Sequence, residues 1–521
     1  MSVSERAPAA AARPAEPRGA VQSGRRRLSL PRLYERAARA ASGFAETGGA
    51  VALLLRNDIA FLEAAFAASF AGTHSVPLNW HSKPGEIEHV LSDSGATHLV
   101  VHADLLRPIA DSVPPDVAVL CVPTPPEVRR AYGTALDEAV PPPGYPVWDR
   151  WLRRHPPLGE RSAPAGWTMF YTSGTTGRPK GVRRERLAGA ARERFGRLTQ
   201  EWFGFEPGSR TAIVGPLYHS VQISYVTAAA RARAVIHLLP RFDAEGLLRL
   251  IERERLTHLH LVPIMMRRLL ELPPPMREQY DLSSLRFVVH GAAPCPPAIK
   301  RQLIEWWGPI VHEYYGTTEA GMVSRASSEE WLRREGTVGR PWPGRVVRIY
   351  DDAGNPLPPY AEGEVYVSLG ALPDFTYQNA EHERAAIERD GLITNGDVGY
   401  LDEDGYLYLV DRKRDVIISG GVNVYPAEIE AAAAEHPSVR DCVVFGVPDD
   451  EFGEVPLAVV EPRPGATVSD EELRALLRGS LASFKVPRTV EVTNALPRDE
   501  SGKISKRALR EPYWAGTGRR I

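Results

Sequence analysis

A chain of 521 residues is longer than one ordinary hydrophobic core sustains, and at about 150 residues per domain it predicts roughly two to four units. Its 43% hydrophobic and 25% charged residues exclude a disordered or fibrous protein and give the balance of a folded globular one. With 63 Lys and Arg against 65 Asp and Glu the net charge is -2, which excludes nucleic acid or an anionic membrane as the main partner. Any anionic ligand must therefore be met by a local cluster.

Residues 1–27 are rich in Ala, Pro and Arg, with no continuous apolar stretch after the basic start, so they read as a disordered cytoplasmic tail rather than a secretory signal. Glu5, Glu16 and the helix-breaking prolines disfavour a transit peptide. Residues 50–55 and 64–71 are the longest apolar runs and fall far short of the roughly 20 needed to cross a bilayer, so no membrane span is expected. Cys121, Cys295 and Cys442 stand far apart without CxxC or His companions, and read as reduced, buried and inert.

From residue 28 to about 410 amphipathic helices alternate with short apolar strands. Strands are predicted at 51–55, 98–101, 211–215 and 287–290, and helices at 33–46, 59–71 and 244–255. This alternation implies βαβ units and parallel sheet, an α/β class. The Pro-rich residues 114–146 read as a long surface excursion. After Gly391 short strands follow in quick order, then a helix at 427–435, strands at 442–445 and 457–460 and a helix at 470–481. These predict a small α+β unit, with the charged residues 411–415 as its swivel.

Residues 171–182, YTSGTTGRPKGV, place three glycines, four hydroxyl residues (Thr172, Ser173, Thr175 and Thr176) and Lys180 between apolar flanks. Backbone N–H groups and hydroxyls of such a loop converge on phosphate oxygens while the lysine supplies a point charge. A polar surface hairpin is the alternative. No glycine precedes Lys180 directly and no Ser or Thr follows it, so the loop is not a Walker A loop, and P-loop NTPase readings lose their support.

The segment resembles the signature of the adenylate-forming superfamily, which holds acyl-CoA synthetases, adenylation domains of peptide synthetases and firefly luciferase. The superfamily's other motifs follow in order. Tyr314-Tyr315-Gly316-Thr317-Thr318-Glu319 resembles its YGxTE motif, which implies a phosphate contact for threonine and magnesium ligation by Glu319 and Thr318, where the residues alone also allow a solvated turn. Asn395-Gly396-Asp397 resembles its TGD motif, which implies that Asp397 accepts from the ribose hydroxyls, although Asn395 replaces the threonine. Residues 405–430 resemble its domain junction, with Arg412 on ribose or phosphate, Arg414 at the hinge where Asp or Lys is usual, and Ser419-Gly420-Gly421 beside a pantetheine arm. Residues 497–503, PRDESGK, resemble the PxxxxGK motif and imply that Lys503 stabilises the adenylation transition state.

Two further resemblances address the acid. Residues 216–219 resemble the PxxH segment, which puts His219 on the acyl pocket and the thiol channel, although a satisfied core histidine is the plain alternative. Residues 290–294 resemble the GxAP segment, with Gly291, Ala292 and Ala293 beside adenine and acyl group, and residues 290–321 are most similar to bacterial ligases for fatty, bile, steroid or terpenoid acids.

The resemblance, over residues 28–510, implies a large N-terminal adenylation domain of mixed sheets and helices (28–411) and a small mobile C-terminal domain (412–521). The implied reaction is ATP- and Mg2+-dependent conversion of a bulky apolar acid to acyl-AMP, then thioesterification with coenzyme A, in a cytoplasmic enzyme. No Asp of the kind that binds an α-amino group stands in the substrate segment, which weighs against amino acids. An acyl-AMP ligase serving another acceptor, a downstream acyltransferase or carrier protein as partner, and a homodimer stay open.

Overall fold

In the computed structural model of the chain the described residues are 19–159, 166–173, 179–413, 415–419, 422–449, 452–498 and 504–515. Among them a sheet of 14 strands runs through the larger part of the molecule. Its parallel half follows the spatial order Ala20–Ser23, Val235–Leu238, Arg210–Ile213, His258–Leu261, Phe287–His290 and Val311–Thr317. Helices cross over between these strands, so both faces are covered, and His258–Leu261 and Val235–Leu238 are buried at every position. The sheet then turns antiparallel through Gly321–Ala326, Thr337–Pro341, Leu407–Arg412, Leu392–Leu401, Gly363–Val367 and Val347–Tyr350.

A second, parallel sheet orders Ser75–Pro77, Ala50–Leu54, Ala96–His102 and Ala118–Val122. It packs with the Ala-rich helix Ile59–Ala71, which starts where Asp58 accepts from Ile59 N at 2.7 Å and stops at left-handed Gly72. The expected bounds of that helix hold to the residue because both caps are written in the sequence. The helix expected at 33–46 starts earlier, at Leu30–Thr47, because Ser29 caps it and Pro31 stands in its first turn.

Three expectations are corrected. The tail does not extend to residue 27: Ala20–Ser23 pairs with Val235–Leu238 and Arg26–Ser29 pairs back on it, with Arg26 bound to Asp58 and to Glu127 at 2.6 Å. Those partners are distant in sequence, so no local pattern announced the strands. Residues 114–146 are not a bare excursion, since they supply the edge strand Ala118–Val122 and the helix Pro126–Tyr132. Finally, the strands after Gly391 do not open the small unit, because Leu392–Leu401 and Leu407–Arg412 belong to the large sheet.

The small α+β unit begins beyond Arg412. It holds Ile417–Ser419, Val422–Val424, the long pair Val439–Asp449 and Gly453–Pro462, and Thr489–Val492, with the helices Pro426–Ala433 and Asp470–Ser480. It rests on the helix Pro263–Leu270 of the larger part. There Arg267 donates to the Arg440 carbonyl at 2.6 Å and pairs with Asp441 at 3.0 Å, and Arg440 pairs with Glu271 at 3.2 Å.

Candidate active site

The carboxyl ends of the parallel strands open together on one cavity of about 1,310 Å³, where an open α/β sheet places its ligands. It is lined by Pro216 and His219 beyond Arg210–Ile213, Val262 beyond His258–Leu261, Ala292 and Ala293 beyond Phe287–His290, and Thr317, Thr318 and Glu319 at the end of Val311–Thr317. Thr172 and Lys180 enter from the hairpin Phe170–Ser173 and Pro179–Arg184, in which they stand opposite each other. Tyr314, Gly316 and Arg412 complete the expected residues that line it.

Glu319 is buried, and its Oε1 accepts from the Tyr377 hydroxyl at 3.2 Å and from the Thr172 hydroxyl at 3.4 Å. Burial first, and the Glu319 charge second, push the Tyr377 phenol up, so it stays a donor. Among the described residues the Arg184 guanidinium is the cation that acts on Glu319, from the side of its backbone carbonyl, and no cluster of three or more His, Cys, Asp or Glu there could hold a metal alone. A carboxylate and the hydroxyl of the preceding Thr318, both on the cavity, fit a divalent cation that takes its remaining oxygens from phosphate and water.

The backbone around Glu319 is held by two buried arginines absent from the expected site. Arg184 donates to the carbonyls of Thr318 at 2.8 Å, Glu319 at 2.5 Å and Pro373 at 3.0 Å, and Arg345 donates to Ala320 O at 2.9 Å. Burial lowers each guanidinium to about 10, still charged at neutral pH. Arg184 had a faint signal, since it shares the inward face of its strand with Val182 and Lys180.

Asp397 is buried beside Gly396 and opposite Arg412, both of which line the cavity. Its Oδ2 accepts from the Tyr315 hydroxyl at 2.5 Å and its Oδ1 from Arg412 Nε at 3.1 Å, the two strands pairing Asp397 with Arg412 directly. Burial and the adjacent carboxylate hold the Tyr315 phenol far above its ordinary range. Asn395, which stands in place of the expected threonine, accepts from the Thr317 hydroxyl at 2.9 Å and so ties the two loops together. Gly291 permits close packing, because a Cβ there would fall 2.5 Å from Tyr314 Cε1 and 2.6 Å from its carbonyl oxygen. Ala292 takes the left-handed φ of 67° beside it.

Beneath both loops Lys300 Nζ meets Glu313 Oε2 at 2.7 Å and lies 4.6 Å from the ring centre of Trp331. Glu313 precedes the Tyr314–Glu319 stretch, and His290, 3.7 Å from the same Glu313 oxygen, precedes Gly291. Burial keeps His290 neutral, well below its ordinary value.

The cavity also has aromatic lining, with Phe195 in ring contact with Trp167 and Trp202, and Tyr34 with Phe66 and Phe70. His219 borders it in ring contact with Tyr218, and Tyr218 packs edge-on against Trp80. Ser419 does not reach the cavity. It sits in the small unit, paired with Gly453 and Val422. Gly174, Thr175, Thr176, Arg414, Gly420, Gly421 and Lys503 lie outside the described residues.

Comparison with known proteins gives a consistent result. The family model "AMP-binding enzyme" matches residues 8–371, and "AMP-binding enzyme C-terminal domain" matches residues 428–503. A feruloyl-CoA synthase from Amycolatopsis sp is 34% identical over 95% of this chain and 96% of its own. The fatty acid–[acyl-carrier-protein] ligase ScoC of Streptomyces coeruleorubidus is 32% identical over 91% and 88%. The solved structure of the amide bond synthetase McbA from Marinactinospora thermotolerans is 30% identical, with a TM-score of 0.81 over 95% of this chain and 97% of that one.

Proposed function

The chain belongs to the AMP-binding enzyme family of adenylate-forming ligases, and on that premise we propose that it joins a bulky apolar carboxylic acid to ATP as acyl-AMP and then transfers the acyl group to coenzyme A. The observation that carries this reading is one cavity lined by two chemically distinct sets of side chains. Thr172, Lys180, Thr318, Glu319 and Arg412 offer donors and charge, and Trp167, Phe195, Trp202, Phe66 and Phe70 offer aromatic surface. Its 1,310 Å³ exceeds the roughly 300–1,000 Å³ of a pocket for one drug-sized ligand, which supports a nucleotide and a large acid side by side.

In the first half-reaction a carboxylate oxygen of the acid attacks the α-phosphorus and pyrophosphate leaves. Lys180 and the hydroxyls of Thr172 and Thr318 hold phosphate oxygens, and Asp397, fixed by Tyr315 and Arg412, orients the ribose. Magnesium, when bound at Glu319 and Thr318, supplies Lewis-acid neutralisation of the phosphates. Lys503 is assigned to the charge that builds between the two anionic reactants. In the second half-reaction the small unit turns about the segment at Arg414, the thiolate of coenzyme A attacks the acyl carbonyl, and AMP leaves with the electron pair. We place the mobile unit beyond Arg412, the last residue of the large sheet, one residue past the expected boundary at 411–412.

Exchange between ATP and labelled pyrophosphate over a panel of acids tests the first step. Large apolar acids are expected to support exchange, and no exchange with any acid defeats the reading. Mass spectrometry after adding coenzyme A tests the second. Thioester is expected, whereas acyl-AMP that accumulates without thioester favours a separate acceptor, a reading that the similarity to an acyl-carrier-protein ligase supports.

A further inference from the structure

Lys180, the cation of the phosphate loop, is buried and ion-paired with Glu383. Glu383 belongs to the helix Glu381–Ala386 and lines the same cavity. The position of that helix is fixed from several sides. The strand Phe375–Tyr377 just before it pairs with Pro179–Arg184, and Gln378 N donates to Gly181 O at 2.8 Å. The Asn379 amide donates to Asp93 Oδ1 at 3.0 Å, and the same carboxylate accepts from the Tyr171 hydroxyl at 2.7 Å. Arg384 is held between Asp374 at 3.0 Å and Glu388 at 2.6 Å. The residues that carry Lys180 and those that carry Glu383 are thus one assembly, and the ion pair is built into it.

We propose that Glu383 is a positioning residue that holds the Lys180 ammonium and competes for it with the oxygens of triphosphate and pyrophosphate. The inference rests on the reading of Lys180 as a phosphate ligand. A second carboxylate beside Glu319 repels an arriving polyphosphate and occupies a donor that the phosphate needs. Its effect is therefore to weaken polyphosphate binding and to hasten pyrophosphate release, while it keeps Lys180 aimed at the loop. A merely structural glutamate has the opposite signature, since removing it could only loosen the site.

The sign of the change provides the test. Titration calorimetry of the full chain and of Glu383→Gln with Mg-ATP, Mg-pyrophosphate and AMP is expected to show about two- to fivefold tighter binding of the first two and unchanged AMP, the range for losing a partly exposed ion pair. In a Lys180→Met background, Glu383→Gln is expected to tighten the first two clearly less, because only the charge repulsion is then relieved, and equal tightening in both backgrounds overturns the competition for Lys180. Weaker or unchanged binding of Mg-ATP and Mg-pyrophosphate by Glu383→Gln overturns the proposal, as does equal tightening of AMP. If the unmodified chain binds neither polyphosphate, the phosphate role of Lys180 fails first and takes the proposal with it.

Discussion

Replacing Lys300 by methionine leaves Glu313 in a site built for an ion pair. The ammonium is fully buried and the carboxylate 7% exposed. At their 2.7 Å separation the gross attraction is about 6 kcal/mol for an effective dielectric of about 20. The cost of dehydrating both charges offsets most of it, but losing one partner leaves the other uncompensated, for which about 3–5 kcal/mol of stability is lost. Burial already pushes Glu313 upward, and without the ammonium it binds a proton on folding. The folded state then carries one proton more than the unfolded one, so stability falls as pH rises above the unfolded carboxylate value, by about 1.4 kcal/mol per pH unit. Urea unfolding followed by tryptophan fluorescence at pH 5.5, 6.5 and 7.5 reads both effects, with Lys300→Met losing most at the highest pH. A loss under about 1 kcal/mol, or a pH slope equal to that of the unmodified chain, would refute the reasoning. Glu313 leads directly into Tyr314–Glu319, the segment proposed to meet ATP, so the KM for ATP is expected to rise before kcat falls.

Lys503→Ala is expected to slow pyrophosphate exchange by about 3–4 kcal/mol or more in barrier while sparing thioester formation from supplied acyl-AMP; equal loss of both halves counts against the rotation model. Tyr315→Phe removes the 2.5 Å hydrogen bond to Asp397 and is expected to cost about 1.5–3 kcal/mol, seen as a raised KM for ATP without a matching fall in affinity for the acid. Gly291→Ala drives a methyl group into Tyr314, and calorimetry is expected to show nucleotide affinity lost with the fold intact by circular dichroism. Arg184→Met leaves three carbonyls without their donor, and activity is expected to fall with thermal stability because the Glu319 loop loses its anchor.

The sequence by itself determined the elements whose signals are local. Asp58 and Gly72 wrote both ends of a buried helix, and the apolar run at residues 287–290 was a strand of that length. It also held the ordered motifs from Thr172 and Lys180 through Glu319 to Asp397, whose resemblance to the adenylate-forming superfamily agrees with the matches to both family models. What only the tertiary structure decided was pairing across distance. Residues 20–29 became sheet because Val235–Leu238 offered an edge, and the strands after Gly391 joined the large sheet rather than the small unit. Arg184 and Arg345 became the anchors of the Glu319 loop, and Glu383 became the partner of Lys180, 203 positions away in sequence. A charged residue announces its charge in the sequence, but its partner is set by which elements the folded chain brings within a few ångströms of it.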